Sequence, residues 1–187
     1  GTPNAAEDVH IARDLLVAEL TGGHIHLQHV STRLGVDLIR CAKGRGVRVT
    51  AEATPHHLVL TDSAVDGYRT DAKMNPPLRT EEDRAAVEQG FLDGTRDTLA
   101  TDHAPHHYDE KEQAFDDAPF GIVGLETALG LVITHLVETK KLDLLTLVHQ
   151  STLFLLQTGE FLSQTASVMF RRIHLQVFSD QMQVISR

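Results

Sequence analysis

Asp97-Thr98-Leu99-Ala100-Thr101-Asp102-His103-Ala104-Pro105-His106 begins as a short apolar run and ends in a carboxylate, two histidines and a proline. The apolar part reads as a short buried strand. A carboxylate at the end of such a strand is unusual, because its burial is unfavourable unless a cation or hydrogen bonds pair with it. On this stretch alone two readings are open. It is a metal or proton-transfer site at the carboxyl end of a strand, or it is an Asp cap followed by solvated loop histidines.

Upstream, the same arrangement recurs twice. His24-Ile25-His26-Leu27-Gln28-His29-Val30 alternates with period two and reads as a strand. Val47-Arg48-Val49-Thr50-Ala51-Glu52 reads as a second, followed by the loop Thr54-Pro55-His56-His57. Helices separate these strands. Asn4 can cap the first, with Glu7 and Asp8 in its first turn, Val9, Ala12, Leu15, Leu16 and Leu20 as its apolar stripe, and Gly22-Gly23 at its end. Ser31-Thr32 can cap the next, which runs to about Lys43 with Leu34, Leu38, Ile39 and Ala42 inward. Thr80 caps a helix from Glu81 to about Phe91, and Gly121 to Val137 and Asp143 to Gln150 read as two more. Strands alternating with helices predict a parallel α/β fold. Each strand ends in a polar cluster: His29, then His56-His57, then Asp102-His103. Active sites of parallel α/β folds lie outside the carboxyl ends of the strands, so three such ends in succession favour the site over the cap.

Composition narrows the classes. The 187 residues suffice for one domain with a core, and 41% apolar with 23% charged residues is ordinary for a soluble globular protein. A net charge of −9 with no basic stripe argues against nucleic acid as a partner. No run approaches a membrane span, and the polar N-terminus lacks a signal-peptide pattern. The single Cys41 excludes an internal disulfide framework and fits a reducing compartment, so a cytoplasmic location is expected. Histidine is abundant, with 12 residues, most of them in three short clusters.

The chemistry these residues offer is metal-assisted hydrolysis. His29 and Asp102 supply an imidazole and a carboxylate from different strands, a donor pair suited to a divalent ion that keeps a position open for water. A metal-bound hydroxide is a nucleophile near neutral pH, and a carboxylate beside it can take a proton and pass it to a leaving amide nitrogen.

Five blocks occur in order: His29-Val30-Ser31-Thr32, Glu52-Ala53-Thr54-Pro55-His56-His57-Leu58, Lys73-Met74-Asn75-Pro76-Pro77-Leu78-Arg79, Thr101 to His106, and Ala118-Pro119-Phe120-Gly121-Ile122-Val123-Gly124-Leu125-Glu126-Thr127. Together they closely resemble the class I dihydroorotases of the amidohydrolase superfamily, over residues 1 to about 150. The resemblance implies an α/β fold that is part of a (β/α)8 TIM barrel, roughly strands six to eight with their helices. It implies a zinc site and reversible interconversion of N-carbamoyl-L-aspartate and L-dihydroorotate in pyrimidine synthesis. By this resemblance His29 is a zinc ligand, and Asp102 is both zinc ligand and general acid/base. Asn75 contacts the substrate, His106 binds its carboxylate, and backbone groups of Pro119, Phe120 and Gly121 close over its ring. A homodimer or an association with aspartate transcarbamoylase is the partner the family suggests.

The other residues of these blocks receive blander expectations. His56 and His57 read as loop-packing residues or as supports behind the ligands, His103 as a packing or supporting partner of Asp102, Arg79 as a local partner of Glu81 or Glu82, and Lys73 as a surface residue. Alternation places His24 and His26 on the face opposite His29, so they are expected to be structural.

The chain also departs from the family pattern. By the resemblance, the first five barrel strands, with most of the metal ligands, are not in this sequence. Two zinc ligands fall short of the three protein ligands that a catalytic zinc keeps. Residues 151 to 187 match nothing in the pattern and are read as an atypical tail, frame-shifted or poorly ordered. The rival functions are a dihydropyrimidinase, hydantoinase or allantoinase, and a non-catalytic scaffold for aspartate transcarbamoylase. Pro55-His56-His57-Leu58 with Asn75-Pro76-Pro77 favours dihydroorotase over the first rival.

Overall fold

A computed structural model describes residues 2–157 of the chain. Helix α1 (Asn4–Thr21) leads into strand β1 (Ile25–Leu27), helix α2 (Arg33–Gly44) and strand β2 (Val49–Ala53). A short helix α3 (Pro55–Val59), two 3-10 turns and helix α4 (Glu81–Leu92) precede strand β3 (Thr98–Leu99). Beyond it lie α5 (Tyr108–Lys111), α6 (Ala128–Val132) with a π-turn over Ile133–Val137, and α7 (Leu144–Gln157). The strands form a parallel sheet in the order β1-β2-β3, with Ile25, His26 and Leu27 beside Val49, Thr50 and Ala51, and Glu52 and Ala53 beside Thr98 and Leu99. This is the parallel α/β arrangement expected.

One face of the sheet is apolar. Leu27, Val49, Ala51, Ala53 and Leu99 join Ile11 and Leu15 of α1, Ile39 of α2, Phe91 of α4 and Leu147 of α7 in a single core. The period of two then turns His26, Thr50, Glu52 and Thr98 to the other face. His26 Nδ1 lies 2.9 Å from Thr50 Oγ1, which fits that shared face.

Hydroxyl caps set the helix starts. Thr32, Thr54 and Thr80 accept from the backbone N–H three residues on, at Gly35, His57 and Asp83. Asn4 does not cap α1. Pro3 occupies that position, and the Asn4 amide instead donates to the Asp83 carboxylate at 3.0 and 3.1 Å. The expected stripe of α1 is also displaced: Asp8, Ile11, Leu15 and Ala18 are buried, whereas Val9, Leu16 and Leu20 are exposed. Asp8 goes inside because Thr32 Oγ1 donates to it at 2.5 Å. In α2 Gly35 and Val36 are buried and Leu34 is exposed. The segment from Gly121 is a loop as far as Thr127, so the helix expected there is shorter. α7 continues to Gln157; of the atypical tail expected from 151, residues 158–187 lie outside the described residues.

Candidate active site

β1 and β3 stop earlier than the sequence suggested, because the chain turns sharply where the polar clusters begin. His29 has φ 48° and Asp102 has φ 45°, both in the left-handed region that non-glycine residues rarely adopt. Such conformations persist where surrounding contacts hold them, and they concentrate at functional sites. Here the contacts are explicit. Glu52, fully buried at the end of β2, places Oε1 2.5 Å from His29 Nδ1 and accepts from the His29 backbone N–H at 3.2 Å. Its other oxygen, Oε2, lies 3.1 Å from His26 Nε2. One carboxylate therefore gathers both histidines. His26 is not opposite His29 as alternation implied, because β1 ends at Leu27 and the turn at His29 swings its ring back over the sheet.

With Nδ1 held by Glu52, His29 directs Nε2 at Asp102 Oδ1, 3.7 Å away. His56 Nε2 faces Asp102 Oδ2, also at 3.7 Å. These gaps are too long for hydrogen bonds. His56 Nε2 and Asp102 Oδ2 are buried without a hydrogen-bond partner, a costly condition that points to a further ligand between them. The donors are imidazole nitrogen and carboxylate oxygen, a set that accepts a divalent ion. Among the described residues, no group of three or more His, Cys, Asp and Glu side chains is arranged to hold an ion, so the fit is that of part of a site.

The electrostatics follow from burial and pairing. Burial pushes Glu52 up, but the bonds to His26 and His29 outweigh it and hold the carboxylate at about 2. Burial draws His29 down, yet Glu52, helped by Asp102, leaves its imidazole above the ordinary value. Asp102 is raised by burial, with His29 pulling partly against the change. His56 falls to about 4, through burial and then through the charge of His29. His57 falls well below the ordinary value for the same main reason, and its Nε2 lies 3.0 Å from the Pro76 carbonyl. So His57 is a packing residue, while His56 reaches the Asp102 cluster. Behind the site Arg96 is fully buried and donates to the carbonyls of Val30 and Glu52, tying together the ends of β1 and β2. Burial lowers its guanidinium to about 9, still protonated at neutral pH.

A second group forms around the last loop. His106 Nε2 donates to the Phe120 carbonyl at 3.0 Å, and the Gly121 N–H donates to the Lys73 carbonyl at 2.9 Å. Gly121 has φ 145°, and a Cβ there would stand 2.4 Å from the Ala104 carbonyl oxygen. Only glycine lets this loop lie against the segment that follows Asp102. Gly124 is as tight, its Cβ position being 2.3 Å from the Thr101 oxygen. His103 accepts from the N–H groups of Gly124 and Leu125 at 3.1 Å, so it fastens this loop and does not serve Asp102. Asn75 is exposed and precedes a cis bond to Pro76.

Other sequence expectations need correction. Arg79 pairs with Glu7 of α1 at 3.2 Å, and with Ser31 Oγ at 3.1 Å, not with Glu81 or Glu82. Lys73 is buried, with its ammonium on three backbone carbonyls. The residues that sequence reasoning missed at the site are Glu52 and Arg96; His56 was expected only to pack or to support. The available signal for Glu52 was a carboxylate closing a strand between two alanines.

No family model matches the chain. Curated relatives do. It is 57% identical over 148 residues to a dihydroorotase of Geobacillus sp., covering 79% of this chain and 35% of that protein. With a dihydroorotase of Pelotomaculum thermopropionicum the identity is 58% over 153 residues, covering 82% and 36%. The matched segment belongs to the dihydroorotase family. The chain spans about a third of the length of these relatives. Among solved structures, an L-hydantoinase (dihydropyrimidinase) from Arthrobacter aurescens superposes with a TM-score of 0.74 at 32% identity, over 79% of this chain and 34% of that one. A dihydropyrimidinase from Brevibacillus agri gives 0.74 at 24% identity over 80% and 34%, a likeness of fold. The described piece is thus part of the TIM barrel of the amidohydrolases, the group that contains dihydroorotases and hydantoinases and depends on metal ions. No helix of the described residues is long and apolar enough to cross a membrane.

Proposed function

We propose that this chain supplies the His29–Asp102 half of a dihydroorotase active site, which opens the cyclic amide of L-dihydroorotate to N-carbamoyl-L-aspartate and closes it again. The observation that carries the reading is the convergence of His29 and Asp102 at 3.7 Å, each leaving its strand through left-handed backbone with Glu52 behind. Identity of 57% to a dihydroorotase, against 32% to a hydantoinase, favours dihydroorotate over hydantoins as the substrate.

His29 Nε2 and an Asp102 oxygen would hold the ion, for which zinc suits the mixed nitrogen and oxygen donors. When bound, the ion supplies Lewis acidity at the amide carbonyl and lowers the pKa of water. Glu52 keeps the His29 proton on Nδ1, so Nε2 presents a lone pair. Asp102, raised by burial, takes the proton of the attacking water and returns it to the departing ring nitrogen, so the C–N bond breaks without expelling an amide anion. His106 is assigned to the substrate carboxylate and Asn75 to its polar edge. Of the backbone groups at Pro119, Phe120 and Gly121, three are already engaged within the protein: the Pro119 and Phe120 carbonyls and the Gly121 N–H. The Phe120 N–H and the Gly121 carbonyl are the groups assigned to the substrate ring.

The test is a chimera in which residues 1–150 replace the matching segment of the Geobacillus dihydroorotase. It should hydrolyse dihydroorotate, and Asp102→Asn should reduce turnover by roughly a thousandfold or more. Hydrolysis of hydantoins but not dihydroorotate would overturn the substrate assignment. Near-normal rates in the Asp102→Asn variant would overturn the proton role.

A further inference from the structure

The loop that carries Pro119 to Gly121 is fastened from beneath by one side chain. Lys73 is only 6% exposed. Its ammonium donates to the carbonyls of Phe115 at 2.5 Å, Asp116 at 3.1 Å and Ala118 at 2.6 Å, which uses all three of its N–H groups. The same nitrogen sits 4.6 Å from the centre of the Phe120 ring and 5.2 Å from that of Phe115. Its own carbonyl accepts the Gly121 N–H at 2.9 Å. Side chain and main chain of one residue therefore grip the loop over its whole 115–121 length. Lys111 adds a second tie, donating to the Pro119 carbonyl at 2.9 Å and the Thr70 carbonyl at 3.1 Å.

A buried ammonium is an expensive way to hold a loop, because desolvation opposes it unless every donor is met. An apolar side chain would fill the space between two phenylalanines with less penalty. What the ammonium adds is direction. It turns the carbonyls of Phe115, Asp116 and Ala118 inward, which fixes the orientation of the peptide units that follow. Lys73 also lies two residues before Asn75, so one short segment presents Asn75 and sets the stance of the loop.

We propose that Lys73 is a positioning residue, holding Pro119 to Gly121 where they meet the substrate. This rests on the dihydroorotase reading above. The test uses the active chimera with Lys73→Met, which keeps the length and loses the donors. KM for dihydroorotate should rise about tenfold while kcat stays within about threefold, since the loop contacts bound substrate and not the reacting water. Amide exchange over residues 115–121 should accelerate at least about tenfold, with the amides of β1 to β3 unchanged. A role confined to folding would lower the melting temperature and the active fraction but leave KM in place. An unchanged KM in a folded Lys73→Met chimera overturns the proposal. Should that variant fail to fold, Lys111→Met decides by the same measure, with a KM rise of about threefold expected and an unchanged KM fatal. A parent chimera that cannot turn over dihydroorotate removes the functional reading and this proposal together. A parent that can, beside a Lys73→Met variant with normal KM, removes this proposal alone.

Discussion

Replacing Glu52 with glutamine keeps the shape of the side chain and removes its charge. The native carboxylate meets both histidines at once: one oxygen lies 2.5 Å from His29 Nδ1 and accepts the His29 backbone N–H, and the other lies 3.1 Å from His26 Nε2. Glutamine has one acceptor oxygen and one donor nitrogen, so it can satisfy one histidine as before and must present N–H groups to the other. The pairing draws Glu52 from an ordinary 4.5 down to about 2, which corresponds to a stabilisation of the ionised form on the order of 3 kcal/mol. The sign is that of a depressed acid: the contribution is complete above pH 4.5 and is lost as pH falls toward 2. At pH 7 the variant therefore forfeits up to about 3 kcal/mol of stability. The effect on the metal is separate. Without the carboxylate, His29 can place its proton on Nε2, and that nitrogen could then not serve as the ligand proposed above. Loss of such a supporting group lowers metal affinity about 10- to 100-fold. Competition against a chromophoric chelator in the chimera measures that affinity, and nitrogen chemical shifts of the imidazole report the tautomer. Affinity within twofold of the parent, with the His29 proton still on Nδ1, would refute the role assigned to Glu52.

Three further outcomes are expected. In the metal-free chimera, stability should fall as pH drops from 6.5 toward 4, because His56 and His57 are held neutral in the fold and charge in the unfolded chain; His56 alone contributes about 2 kcal/mol between pH 7 and pH 5, and a flat urea-denaturation profile there would contradict it. His29, raised in the fold, acts in the opposite sense and its contribution fades above pH 6.5, so chelator-treated His29→Gln should lose less stability at pH 8 than at pH 6. Gly121→Ala forces a Cβ within 2.4 Å of the Ala104 oxygen at φ 145°, which should cost about 1 to 3 kcal/mol and raise KM; unchanged melting and KM would contradict the close approach.

Much of the frame was legible in the residues. Alternation and helical spacing gave parallel strands, and Thr32 and Thr80 cap where their positions suggested. The polar strand ends were legible too, because a carboxylate or imidazole after an apolar run is locally conspicuous. What escaped was set by contacts between distant segments. Arg79 meets Glu7 across 72 positions, and nothing near Arg79 announces that partner. Lys73 looked solvated because its acceptors are backbone carbonyls, which no residue pattern reveals. His26 was misplaced for a backbone reason: alternation holds only while φ stays extended, and His29 breaks it. Glu52 carries no local sign of its role, since a shared carboxylate is visible only once β1 and β2 lie side by side.

The left-handed turns at His29 and Asp102 also restrict what could ever replace these residues. Asparagine, aspartate, histidine and glycine tolerate that backbone, while β-branched and bulky residues do not. A redesigner hoping to change the proposed ion by installing a different donor at either place meets the main chain before any metal. Cysteine or glutamate at position 29 would have to bear the conformation as well as the coordination, so the short vocabulary available there is dictated by φ 48° and φ 45° as much as by ligand chemistry.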